Sequence, residues 1–493
     1  MLATVRLVTS GTRLRALVTP VRLDAPTPGS LAGRAALSTA GVAVQGLVRF
    51  AYTFLIAHLL GDEAVGRTNA AISLALLVSL LWPTAAGSAA SKFVALARGA
   101  GDTDRAAAVA RHLGRWTFGT SVLLAGVAAA YAVLVLDSGP AGAFSTAVLV
   151  MAYSGYGFVR GVQFGVGQVA RATAWDVISA ALAIALLVAV LVGRLDGLLV
   201  LPLAIGYLLY AVTGWPRSGG GSLPRPLRRE VDGFVSLTVV GTLASTGVSQ
   251  ASMLVAQQAA PGAQAGYYAA ALALATPATM LSRSLSLVLF PTMAETHGRG
   301  DAAGLRRQTD LATRGLFTVM TLVLGGVVLL SAPLVTLVYP DSFAPAARLL
   351  PLQVAAVLFV TLGVACVNRL SSTSQRGTAV AVGCSVVGAL VACVVWAFVA
   401  EPRGVEGVAL GLVCWGAVTG LAPIAIVWRL DGHRWAGLVL RWLAAVVALV
   451  LLDRFVQDRG VWTAIGATVL FSAGWLALSA GDVRRAAALT RRR

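Results

Sequence analysis

Two arginines fall well inside long apolar runs, away from their ends, where a permanent charge is costly and needs a reason. Arg49 lies within the run 36–58, and Arg283 lies within the run 267–290. A planar guanidinium binds phosphate oxygens two at a time, so two such groups at depth suit an anionic, phosphate-bearing ligand. The competing reading is that Arg283 snorkels to a lipid headgroup, or that both arginines only tie helices together. A second polar feature lies in the run 234–256. Thr238, Thr242, Ser245, Ser249 and Ser252 recur there at spacings of four, three, four and three, with Gln250 beside them. That spacing predicts one helix face, which can line a hydrated cavity or let two helices approach closely. Gly157, Gly161 and Gly165 recur every four residues and read as a packing seam.

What is missing narrows the chemistry. No Asp or Glu is expected deep in an apolar run; Asp176 reads as a first-turn residue of the helix over 173–193, where its charge favours the helix N-terminus. His58, His112, His297 and His433 sit at run ends or in loops. Cys366, Cys384, Cys393 and Cys414 fall in apolar runs without a CxxC pair, which argues for small buried hydrophobes rather than disulfides or zinc. There is no P-loop, HExxH or GxSxG pattern. A transporter is therefore expected rather than an enzyme, with no cofactor and no metal.

The elements that must carry these residues are membrane helices. The chain of 493 residues is 58% hydrophobic and only 12% charged, whereas a soluble domain has about 25% charged residues. Apolar runs of spanning length occur near 36–58, 69–91, 116–136, 142–161, 173–193, 197–214, 234–256, 267–290, 315–338, 349–369, 377–399, 405–428, 437–455 and 461–480. The net charge is +18, and Lys92 is the only lysine. With the N-terminus placed in the cytoplasm, inside segments collect 30 of the 38 basic residues. Outside segments collect six: Arg67, Arg194, Arg348, Arg403, Arg454 and Arg459. This is a positive-inside distribution, so the basicity reports insertion and not nucleic-acid binding. Both termini are expected inside. Residues 1–30 lack an uninterrupted apolar core and read as a basic tail, not a signal peptide.

Three sequence marks recur in order. Gly66-Arg67-Thr68-Asn69-Ala70-Ala71 matches Gly266-Tyr267-Tyr268-Ala269-Ala270-Ala271, 200 residues later. Gly101-Asp102 matches Gly300-Asp301, 199 residues later, and Leu195-Asp196-Gly197 matches Val405-Glu406-Gly407, 210 residues later. A repeat of six spans returns the chain to the same side, so the lobes are parallel repeats. The expected organisation is a basic cytoplasmic tail (1–34), an N-lobe of six spans (35–214), a cytoplasmic linker (215–233), a C-lobe of six spans (234–430), two further spans (431–480) and a second basic tail (481–493). The fold class is all-α integral membrane, with about fourteen transmembrane helices in two six-helix lobes plus two extra helices.

The chain resembles the multidrug/oligosaccharidyl-lipid/polysaccharide exporter superfamily, in its polysaccharide and lipid-linked saccharide flippase branches. The resemblance covers roughly 31–480 and rests on the two lobes and the extra pair. It also rests on Gly61-Asp62-Glu63 through Gly66 to Gly101-Asp102, on RGVQFGVGQVARAT (160–173) and on AGYYAAALAL (265–274). It implies lobes that rock between inward- and outward-open states. It also implies cationic cavity residues in the first and eighth spans, where Arg49 and Arg283 stand. Members often have an acidic residue in the seventh span; Gln250 stands near that position here. Drug-exporting relatives often carry a carboxylate in the first span, and this one has none. In lipid II flippases the two extra spans help form a lipid groove.

The leading expectation is a flippase for a polyprenyl-pyrophosphate-linked oligosaccharide. It would act in the bacterial cytoplasmic membrane, by alternating access, for surface polysaccharide or cell-wall synthesis. Its substrate-binding candidates are Arg49, Arg283, Thr242, Ser245, Ser249 and Gln250. Its partners are a lipid-linked anionic saccharide and membrane lipids, with no nucleic acid, and a monomer suffices. The alternatives are a multidrug exporter of the same fold and a membrane-embedded glycosyltransferase or polymerase. The last is disfavoured by short external loops.

Overall fold

The computed structural model describes the backbone of residues 31–216, 221–457 and 459–490, without the side chains of 31–36, 280–285, 287–288, 291 and 482–490. Residues 1–30 of the first basic tail, 491–493 of the second and 217–220 of the 215–233 segment therefore lie outside the described residues. All regular structure among the described residues is helical. The chain forms two compact units, taken in turn below.

The first unit holds the described residues up to Leu59 and Arg67–Gln258. Its helices are α1 (Leu31–Leu60), α2 (Asp62–Ser79), α3 (Pro83–Gly99), α4 (Thr103–Leu134), α5 (Pro140–Val166), α6 (Val169–Val192), α7 (Leu201–Gly214), α8 (Arg225–Thr242) and α9 (Val248–Ala259). Helices α2 and α3 form one span bent by 48°. Pro83 explains the break, because it has no N–H to donate to the Ser79 carbonyl. Leu80 and Leu81 instead close tighter turns onto Leu77 O and Val78 O at 3.1 Å each. The glycine series of α5 is a packing seam against α3. A Cβ at Gly161 would strike the Gly87 carbonyl, and one at Gly165 would lie 2.9 Å from the Ala90 carbonyl oxygen.

Helix α8 starts at Arg225, inside the segment expected to be a linker, with Pro226 in its first turn, where a missing N–H costs nothing. Helices α8 and α9, which the sequence repeat assigns to the second lobe, fall in the first unit. The reason is local. The Phe234 ring meets Phe93 edge-on at 5.7 Å, Lys92 Nζ lies 4.3 Å above it, and Asp232 bonds His112 at 2.8 Å.

The second unit holds Leu60–Gly66 and the chain from Ala259 onward. Its helices are α10 (Ala263–Gly298), α11 (Ala302–Leu329), α12 (Ser331–Val338), α13 (Ala346–Thr373), α14 (Gln375–Val395), α15 (Glu401–Asp431), α16 (Ala436–Val456) and α17 (Val461–Thr490). Residues 375–431 form a nearly continuous 57-residue helical stretch. At about 1.5 Å per residue that is some 85 Å, enough to cross a bilayer twice. It does so by breaking: a π turn at Trp396–Ala400 precedes Gly404, whose φ is 55°. The Trp396 indole donates to Val408 O at 3.0 Å across the break. Helices α16 and α17 pack on α11, where Trp475 donates to Thr318 O at 2.8 Å and Phe317 meets Trp442 edge-on at 5.6 Å.

The repeat is visible in backbone detail. Gly101 (φ 74°) precedes Asp102, which caps α4 by accepting from Arg105 N at 2.8 Å. Gly300 (φ 72°) precedes Asp301, which caps α11 by accepting from Gly304 N at 2.7 Å. Arg194 (φ 53°) and Gly404 (φ 55°) likewise precede the third pair of matching segments. The repeated residues are turn and capping chemistry at equivalent places.

Among the described residues eleven helical stretches are long and apolar enough to span, one of them the 57-residue stretch, and the bent α2–α3 pair raises the count. With the 36-residue α10, about fourteen spans result. Their outer faces are apolar: Leu134, Leu337 and Trp462 are each more than 80% exposed, which lipid accommodates and water does not. The four cysteines are free, but only Cys366 is buried; Cys393 lies on the exposed surface, where an apolar thiol suits lipid.

Candidate functional site

Helix α1 carries a stripe at spacing four: Leu37, Gly41, Gln45 and Arg49. Its partners in the first unit are α5, α6 and α7. Thr173 Oγ1 of α6 donates to Leu37 O at 2.8 Å. One turn on, a Cβ at Gly41 would lie 2.5 Å from Asp176 Oδ2, so only glycine lets the carboxylate reach α1. The next turn brings Gln45, whose Nε2 approaches Asp176 Oδ1 and O at 3.4 Å each and whose Oε1 accepts from Tyr207 at 2.7 Å.

Asp176 is the centre of this network, and its sequence reading is corrected here. Helix α6 begins at Val169, so Asp176 lies two turns in and does not cap. It is fully buried. Arg160 Nε pairs with its Oδ2 at 3.2 Å, and Tyr156 donates to its Oδ1 at 3.0 Å. The expectation that no carboxylate lies deep in a span therefore fails. The span was placed by its apolar residues from 173, whereas the helix takes in the polar turn before them. A carboxylate with a guanidinium and two further donors has its lone pairs occupied. Such a pair adds little net stability, yet removing one partner strands the other at high cost.

Tyrosines fill the space around the pair. Tyr156 lies 4.7 Å from Tyr207 and 4.9 Å from Tyr210, centroid to centroid, and Tyr153 lies 5.3 Å from Tyr207. Tyr210 donates to Gln163 Oε1 at 2.7 Å. Sequence reasoning passed over Gln45 and these rings. A signal was present: Tyr-x-x-Tyr occurs in both the fourth and sixth spans, at 153–156 and 207–210, and Gln45 stands one turn from Arg49.

Arg49 differs from Arg160, Arg314 and Arg369. It is half-buried, Tyr153 and Tyr207 lie within electrostatic reach, and no carboxylate pairs with it among the described residues. Arg160 has Asp176, Arg314 has Asp310 at 3.0 Å, and Arg369 has Asp431 at 2.9 Å. The last two pairs belong to one cluster in the second unit. There Trp435 donates to Asp310 at 2.6 Å and Arg314 to Arg434 O at 3.0 Å, which clamps the 431–435 turn between α15 and α16.

Arg283 lies on α10, but its side chain is outside the described residues. Ser286, one turn further along α10, accepts from Asn368 of α13 at 3.1 Å. The hydroxyl stripe maps to α8, α9 and the turn between them. Thr242 donates to Thr238 O at 2.9 Å and Ser245 to Gly241 O at 2.7 Å. Ser249 accepts through its backbone from Ser252 at 2.8 Å, and Gln250 is buried. A π turn at Leu243–Gly247 interrupts the helix. Its extra residue rotates α9 relative to α8, so the stripe does not run straight along one face. The flanking hydroxyls loosen the helix there by bonding back to its own carbonyls. No cluster of three or more metal-ligating side chains occurs among the described residues.

Repeated helical segments and about fourteen apolar spans define a polytopic membrane protein. The profile of the family described as "Lipid II flippase MurJ" matches residues 178–464. The chain belongs to that family. The solved structure of "Lipid II flippase MurJ, inward closed conformation" aligns over 91% of this chain and 99% of that one, with a TM-score of 0.68 at 13% identity. An inward-facing multidrug resistance MATE family transporter of the MOP superfamily aligns over 80% of this chain and 98% of that one, at 0.65 and 14%. A MOP superfamily transporter from Pyrococcus furiosus Vc1 aligns over 81% and 94%, at 0.57 and 13%. At these identities the likeness is one of fold. No curated protein sequence gives a significant match. The superfamily resemblance read from the sequence is borne out.

Proposed function

We propose that this protein flips a polyprenyl-pyrophosphate-linked oligosaccharide across the bacterial cytoplasmic membrane, and that Arg49 receives the diphosphate. The observation that carries this reading is that no carboxylate among the described residues pairs with Arg49. Arg49 stands twelve residues into the 24-residue apolar stretch Leu37–Leu60, about 18 Å along the helix axis and near mid-bilayer. An arginine there without a carboxylate is expensive unless an anion arrives to pair with it. A lipid-linked diphosphate supplies that anion and keeps its tail in the bilayer. The family membership supports a lipid-linked substrate of this kind.

In this reading Arg283 is the second cationic contact, and Thr242, Ser245, Ser249 and Gln250 offer polar groups to the saccharide. The working lobes follow the sequence repeat, 35–214 and 234–430, and rock about the substrate. Both termini face the cytoplasm, and one chain suffices. The product serves cell-wall or surface-polysaccharide assembly. The test is charge reversal, Arg49→Glu together with Arg283→Glu, in cells that depend on this protein and still produce it. Export of the lipid-linked saccharide is expected to stop; undiminished export refutes the site.

A further inference from the structure

The described face of α1 does more than carry Arg49. Leu37, Gly41 and Gln45 each touch Thr173, Asp176 or Tyr207, and Arg49 is the next residue in the same stripe. Gln45 is the only one of these held through its side chain, and it is held at both ends of its amide. Its Nε2 lies 3.4 Å from Asp176, whose own place is set by Arg160, and its Oε1 accepts from Tyr207 at 2.7 Å. Residues four apart on a helix stack on one side, so whatever fixes the Gln45 amide fixes the rotation of the turn that presents Arg49. Tyr207 bonds Gln45 and lies within electrostatic reach of Arg49.

We infer that Gln45, anchored by Asp176 and Tyr207, is a positioning residue that sets the guanidinium of Arg49 for the diphosphate. This rests on the proposed role of Arg49. The anchoring amide touches no ligand in this scheme; it acts by limiting where α1 can turn. A guanidinium and a diphosphate form two parallel hydrogen bonds only within a narrow range of orientation, so loosening one turn of α1 weakens binding without removing any contacting group.

The experiment is a double-mutant cycle on the full-length protein in lipid nanodiscs, with a sugar-free polyprenyl pyrophosphate as the probe. Arg49→Ala is expected to weaken binding about tenfold or more, and Gln45→Ala about fivefold. When Arg49→Ala is already present, adding Gln45→Ala is expected to change affinity less than about twofold. A purely structural role for Gln45 gives additive losses and overturns the inference. Tyr207→Phe provides a second test, because it removes the bond to Gln45 Oε1 and keeps the ring in place. It is expected to show the same dependence on Arg49. If Arg49→Ala leaves affinity unchanged, the site reading falls and the inference with it. If Arg49→Ala weakens binding while neither Gln45→Ala nor Tyr207→Phe does, only the inference falls.

Discussion

Replacing Asp176 with alanine tests the buried pair directly. The substitution strands three donors at once: the Arg160 guanidinium, the Tyr156 hydroxyl and the Gln45 amide. Breaking a buried ion pair by removing one partner costs about 3–5 kcal/mol. The Arg160 side chain is 20% exposed, so part of its charge is screened and about 3 kcal/mol is the appropriate figure. Asp176→Asn keeps the Oδ1 acceptor for Tyr156 and Gln45 but puts an NH2 donor where Oδ2 accepts from Arg160 Nε, so the expected cost stays at about 3 kcal/mol. Removing both charges together, Asp176→Ala with Arg160→Met, leaves no stranded ion and is expected to lie within about 1–2 kcal/mol of the parent. Reversible unfolding in mixed micelles, read by far-UV circular dichroism, gives all three values. The double variant must be more stable than Asp176→Ala alone. If Asp176→Ala costs under about 1 kcal/mol, or if Arg160→Met worsens it, the pair does not hold the first unit together as described.

Two other perturbations follow from the packing and the caps. Gly161→Leu drives a side chain into the Gly87 carbonyl and is expected to cost about 3 kcal/mol or more in thermal unfolding. Gly126→Ala, in α4 with nothing within 4 Å of its added carbon, should be neutral or gain about 0.5–1 kcal/mol. Asp102→Ala and Asp301→Ala each remove an N-cap and are expected to cost about 1 kcal/mol apiece. Their equality, checked by parallel unfolding curves, tests whether the repeat is one of stability as well as of sequence.

The spans were legible because lipid imposes a simple rule. A helix that faces hydrocarbon must be apolar for about 20 residues whatever else it does. The repeat was legible for a different reason. Gly101-Asp102 and Gly300-Asp301 are local devices, a left-handed turn and a cap, and local devices leave local sequence. The Asp176 network left little: Tyr-x-x-Tyr at 153–156 and 207–210 marks its rings but not the carboxylate they surround. Its members come from α1, α5, α6 and α7, and the contact from Gln45 to Asp176 closes over 131 residues. Nothing near Asp176 in sequence distinguishes a cap from the hub of a network. Only the true start of α6 and the tertiary partners do. The π turn in the seventh span was hidden likewise, since a regular spacing of hydroxyls does not reveal one extra residue in the turn between them.

The arginines divide by whether the chain supplies their counter-ion. Arg160, Arg314 and Arg369 each have a carboxylate, and each such pair joins helices, a helix and a turn, or neighbouring turns of one helix. A neutralised pair exerts little field beyond its own neighbourhood, so these arginines are spent on structure. Arg49 has no such partner among the described residues, although Asp176 faces the same stripe of α1 two turns earlier. Had the carboxylate stood one or two turns further along α6, it would have neutralised Arg49 and left no charge to offer. The network instead gives Asp176 to Arg160 and interposes Gln45 and Tyr207 between that pair and Arg49. Neutral hydrogen-bonding groups can orient a helix without cancelling the charge it carries. The role proposed for Arg49 requires a charge held firmly in place but not consumed by the scaffold that holds it.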